Sequence, residues 1–174
     1  MQRIDVVLLL LYARGKTMKD NESVPSLTHL QKEMFLLQRI LPYSQIEYRY
    51  EFAPLWYGPF SKELSIDVNS LQDDGLLTAE IGITLSPAGF RKASSLWHQI
   101  DDEHRTVVIQ VKERFNRMSL EELLDYVYNH FPKLAKKSAL KKEVVDEYFD
   151  TFWKENGLSD QYFVDAVRAV RNNQ

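Results

Sequence analysis

The stretch WYGPFSKELSIDVNSLQDDGLLTAEIGITLSPAGF, residues 56–90, constrains the fold more than any other part of the chain. Gly58-Pro59 is a turn signal, and the next helix can open at Pro59, as an early helical residue, or at Ser61, as its cap. Leu64, Val68 and Leu71 recur at i, i+4 and i+7, one inward stripe on a helix of about four turns. That helix stops at Asp73-Asp74-Gly75, where glycine can take a positive φ. Two short apolar runs, LLTA and GITL, flank Gly82 as a hairpin. Ser86-Pro87 then caps and opens a helix over AGFRKASSLWHQ. A helix pair, a hairpin and a closing helix predict a winged helix-turn-helix over residues 1–99.

The flanks read as helical. Residues 3–13 are nearly all apolar and Leu-rich, which favours a buried helix over a strand. Ser26 caps LTHLQKEMFLLQRIL, where Leu27, Leu30, Met34, Leu37 and Leu41 form one buried face. Phe35, Leu36 and Ile40 lie off that stripe, so a second element must cover them. YRYEFAPL, residues 48–55, alternates and is aromatic, as in a short strand or extended arm. SLEELLDYVYNHF opens with a Ser119–Glu122 capping box and stops at Pro132. KEVVDEYFDTFWKENG carries an aromatic stripe of Tyr148, Phe149, Phe152 and Trp153, and Ser159 caps DQYFVDAVRAVR. The expected fold is mainly α, a winged helix-turn-helix with a C-terminal helical extension, residues 100–174, packed on it.

With 44% hydrophobic and 27% charged residues, the 174-residue chain is globular rather than disordered. It has no cysteine, which removes disulfides, thiolate catalysis and thiolate zinc sites and fits a reducing compartment. VVLLLLY, residues 6–12, is far short of the ~20 residues that span a bilayer. A cytoplasmic protein without membrane contact is expected. The net charge of −3 gives no global help to nucleic-acid binding.

At YGPFSKELSIDVNSLQDDGLL the chain resembles a group of bacterial and archaeal proteins with the signature Y-G-P-F/Y-S-x-x-L-x-x-D-x-x-x-L-x-x-x-G-L. Tyr57, Gly58, Pro59, Phe60, Ser61, Leu64, Asp67, Leu71, Gly75 and Leu76 carry the match. These proteins are distantly similar to the Panacea antitoxin domain, found also in phage-associated proteins. The resemblance covers residues 26–90, with a weaker echo over 119–138. It implies a winged-helix scaffold and a prophage, toxin-antitoxin or defence setting.

The helix face opposite Leu64, Val68 and Leu71 presents Lys62, Glu63, Ile66, Asn69, Ser70 and Asp73. Base readout favours Arg, Lys, Asn and Gln, and phosphate contacts need cations. Lys62 and Asn69 qualify, whereas Glu63, Asp67, Asp73 and Asp74 carry the wrong sign for phosphates. An isoleucine amid polar residues reads as a protein contact, or as a face covered by the extension. Cations are densest at Lys133, Lys136, Lys137, Lys141 and Lys142, either a solvated run or a set of phosphate contacts. WHQIDDEH puts His98 and Asp102 one turn apart if one helix carries both. The bland reading of that segment is a solvated connection, and of His29 and His130, packed or solvated histidines. Trp56, Tyr57 and Phe60 read as a joint packing an arm on the helix. No G-x-S-x-G, Gly-rich phosphate loop or H-E-x-x-H is present. No catalytic residue, metal or cofactor is therefore assigned. The expected function is a non-catalytic module that binds a protein or a second copy of itself; the alternative is a DNA-binding regulator using Lys62, Asn69 and the lysine run.

Overall fold

A computed structural model describes residues 1–41, 49–55 and 57–132. The described fold is mainly α. Its elements are α1 (Arg3–Tyr12), α2 (Leu27–Ile40), β1 (Ala53–Leu55), β2 (Gly58–Phe60), α3 (Lys62–Asp73), β3 (Leu77–Thr78), β4 (Thr84–Leu85), α4 (Pro87–Gln99), α5 (Asp102–Phe115) and α6 (Leu120–His130). The lysine run and the two helices expected beyond Pro132 lie outside the described residues, as does Trp56.

Local chemistry sets most boundaries as expected. Ser26, Ser61, Ser86 and Ser119 each accept a hydrogen bond from the backbone N–H three residues on, which satisfies a donor that the helix start leaves orphaned. Glu122 returns the bond to Ser119 N at 2.7 Å, completing the capping box. At the end of α3, Leu76 N donates to Leu71 O at 2.8 Å and Gly75 N to Gln72 O at 2.9 Å, with Gly75 at φ +68. These are the paired bonds of a Schellman stop.

Two expectations are corrected here. Gly58-Pro59 does not open the helix: both residues lie in β2, which pairs antiparallel with β1 in the register Ala53↔Phe60, Pro54↔Pro59, Leu55↔Gly58. Pairing is possible because β1 and β2 form a two-stranded ribbon in which prolines tolerate their missing donors. The helix accordingly starts after Ser61 and has 12 residues, about three turns. The second correction concerns Ile40, which is 55% exposed, whereas Phe35 and Leu36 are covered as expected. Phe35 meets Phe52 and Phe131 edge-on at 5.4 and 5.0 Å.

The β3–β4 hairpin is antiparallel and gains a bridge from the α1–α2 loop, Val24 to Ile83, closed by bonds of 2.9 and 2.8 Å. Asn21 of that loop accepts from Leu85 N at 2.9 Å. α1 packs on α4, α5 and β4, and α2 on α5, α6 and β2. One apolar core joins Val7 and Leu10 of α1, Met34 and Leu37 of α2, Leu64 and Leu71 of α3, Phe115 of α5 and Leu123 of α6. No helix among the described residues is long and apolar enough to cross a membrane.

Candidate functional site

The outer face of α3 is the candidate site, and a dense set of polar contacts mounts it. Gln31, buried on α2, grips Ser61 like a paired strand: its Nε2 donates to Ser61 O at 2.9 Å and its Oε1 accepts from Ser61 N at 2.8 Å. The same Nε2 reaches the buried Ser65 hydroxyl at 2.9 Å. Two residues on, Asp67 accepts from Arg3 Nε at 2.8 Å and from the Tyr50 hydroxyl at 2.9 Å. Arg3 also lies over the Tyr50 ring, 5.0 Å from its centroid. Burial first, and the Asp67 carboxylate second, hold the Tyr50 phenol well above its ordinary range. The hydrogen bond to Asp67 raises the Arg3 guanidinium. Asp67 therefore ties the start of α1 and the strand arm to α3. Its charge is used inside the fold, in keeping with its place among the signature residues.

Of the motif residues, Gly58, Pro59, Phe60, Ser61, Leu64 and Leu71 are buried and Tyr57 is half-buried. Gly58 has φ +81, and a side chain there would meet Lys32 Cε at 3.3 Å. The motif is thus a mounting device. Lys62, Ile66, Ser70 and Asp73 remain exposed on the outer face, Ile66 at 46%. Glu63 is half-buried and pairs with Arg3 at 3.4 Å. Asn69 is half-buried too, and its Oδ1 is enclosed without a hydrogen-bond partner among the described residues. At the turn of the β3–β4 hairpin, Glu80 is exposed and Ile81 is 83% exposed. Lys62 is the one cation in residues 62–85.

The WHQIDDEH segment is split between two helices. α4 ends at Gln99, and Asp101 caps α5 by accepting from His104 N at 2.9 Å, so His98 and Asp102 do not share a helix. Asp102 instead pairs with Arg105 at 2.6 Å. Among the described residues no three His, Cys, Asp or Glu side chains come together as a metal site. His29 is packed: its Nε2 donates to Met118 O at 3.3 Å, and burial pushes its imidazole below the ordinary range. His130 is exposed and stacks on Tyr126 at 4.0 Å. A cleft of about 330 Å³ lies between the start of α1, the end of α4 and the start of α5, walled partly by Asp5, Asp101 and His104, with no hydroxyl or thiol side chain in its lining.

Sequence reasoning missed a group of interior charges. Lys32 and Glu33 of α2 and Lys112 of α5 are 2%, 0% and 0% exposed. Burial pushes Lys32 down to about 7 and Glu33 up to about 8. It also lowers Lys112, against the pull of Glu33, Glu22 and Asp20. The signal was Phe35 and Leu36: an element covering them also covers Lys32, one turn away on the same helix. Because the folded Lys32 loses its proton near 7 while the unfolded one keeps it into the ordinary lysine range, stability should rise with pH across that window. Lys32→Met is expected to remove the Lys32 share of that rise, leaving the share due to Lys112, and to stabilise the protein by about 1–4 kcal/mol at neutral pH, since each unit of displaced pKa is worth about 1.4 kcal/mol. Denaturant titrations across pH would show both effects, and an unchanged pH slope would rule the assignment out.

Comparison of the chain with family models, with curated proteins and with solved structures finds no match.

Proposed function

We propose that the chain is a non-catalytic winged helix-turn-helix module that recognises a protein, a second copy of itself included, through the outer face of α3. The carrying observation is Ile66, half exposed in the middle of that face beside Ser70 and Asp73. An exposed apolar residue on a rigidly mounted helix contributes to a protein interface by leaving water, whereas a phosphate backbone offers it nothing. The hairpin supports the same reading, since its turn bears Glu80 and Ile81 where a DNA-binding wing would need cations. The prophage, toxin-antitoxin or defence setting rests on the Tyr57–Leu76 signature.

Ile66→Lys is expected to weaken association at least about tenfold, equivalent to about 1.4 kcal/mol. Light scattering reads self-association and pull-down reads a partner; association unchanged in both assays would sink the proposal. The second reading, a DNA-binding regulator, keeps Lys62 and the Lys133–Lys142 run but loses Asn69, whose Oδ1 is enclosed. It requires duplex binding that weakens steeply with salt, so an absence of binding at low salt removes it.

A further inference from the structure

The seam that fastens α5 to α1 and α2 is built from groups that water would hold better than the core does. Lys112 crosses from α5 and donates to Leu11 O, in the last turn of α1, at 2.6 Å. That carbonyl is among those the helix end leaves without a helical partner, and a cation there meets the negative pole of α1. From α2, Glu33 enters the same interior, and neither of its oxygens has a hydrogen-bond partner among the described residues. Lys32 lies beside it in sequence, fully enclosed against Gly58 of β2.

The groups acting on these three can be named element by element. The α1–α2 loop brings Glu22 and Asp20 toward Lys112. α2 adds His29, on which the Lys32 charge acts. α1 contributes the Leu11 carbonyl, while beside Gly58 α6 contributes apolar Leu124 and Val127. Glu22 is itself occupied, accepting from Thr17 N at 2.6 Å. Opposing release is the apolar packing of Val108, Val111, Phe115, Leu123 and Val127.

We propose that α5, with α6 behind it, is a releasable strap on the α1–α2 pair, and that hydration of Lys32, Glu33 and Lys112 drives its opening at neutral pH. In the opened form all three groups regain water and their ordinary charges; in the closed form burial opposes each charge. The two signs of titration locate the weak point. From the ordinary carboxyl range up to about 8, closed Glu33 holds a proton that the open form sheds, so closure weakens as pH rises. From about 7 upward, open Lys32 holds a proton that the closed form lacks, so closure strengthens as pH rises, and Lys112 acts in the same direction. Because the two directions oppose each other, closure is weakest around neutrality. Opening would uncover the polar and apolar side of α2, a surface separate from the outer face of α3, so this inference does not rest on the proposed function.

Hydrogen exchange read by mass spectrometry on the full chain, corrected for intrinsic exchange rates, tests it at acid, neutral and alkaline pH. Amides of α5 should exchange through an opening that leaves α1 and α4 protected, most readily around neutrality. Lys32→Met should slow that opening at least about tenfold at neutral pH, since each unit of displaced pKa is a factor of ten. Glu33→Gln, which keeps the shape, should abolish the loss of protection between the carboxyl range and neutrality. Protection of α5 equal to that of α1 and α4 at every pH would overturn the proposal. So would α5 exchange that neither substitution changes, and if a variant fails to fold the wild-type pH profile decides alone.

Discussion

Asp67→Ala is expected to destabilise the protein by about 2–4 kcal/mol, because it leaves the Arg3 guanidinium and the Tyr50 hydroxyl without their shared acceptor inside the fold. Urea denaturation measures this as a lower midpoint. The loss should be coupled: in a double-mutant cycle with Arg3→Ala the two effects should fall short of additivity by about 1 kcal/mol or more. Strict additivity would mean that Asp67 and Arg3 are neighbours without a working interaction. The same substitution should loosen α1 at its start, which exchange of the α1 amides would show.

Gly89→Ala should be at least as disruptive, about 3 kcal/mol or more, for a steric reason. A Cβ at Gly89 would sit 2.0 Å from Leu76 O, the carbonyl that also accepts from Ser86 N at 2.9 Å. Such an overlap is relieved only by shifting the start of α4 away from the end of α3. Gly75→Ala is the control: nothing lies within 4 Å of where the new methyl would stand, so only the φ of +68 is opposed, for about 1–2 kcal/mol. Equal midpoints for the two variants would contradict the close approach at Gly89.

Where the sequence was readable, the chemistry was local. The serine caps, the Ser119–Glu122 box and the Gly75 stop each act within a few residues, so their signals need no knowledge of neighbours. The inward stripe Leu64, Val68 and Leu71 was readable for the same reason, and all three are buried. On α2 the periodic stripe Leu27, Leu30, Met34, Leu37 and Leu41 is buried as read, but a helix covered by α5, α6 and β2 also hides polar positions that periodicity does not mark. Gln31, Lys32 and Glu33 lie off the apolar stripe, yet one clamps Ser61 and two sit among the interior charges. The partners of Asp67 went unread for a related reason: Arg3 and Tyr50 lie 64 and 17 residues away. The residues of the outer α3 face were readable as a set, and only Glu63 and Asn69 prove half-buried.

The grip of Gln31 on Ser61 separates two kinds of requirement along one short helix. Among the described residues, the contacts that fix the position of α3 come from its inward side and its ends, and the side chains of Lys62, Ile66, Ser70 and Asp73 make no hydrogen bond or ion pair that holds the fold together. Substitutions at those four positions should therefore accumulate at little cost in stability, and under the proposed function α3 would be an exchangeable reading head on a fixed socket. On that proposal, chains that share the socket need not share what they bind.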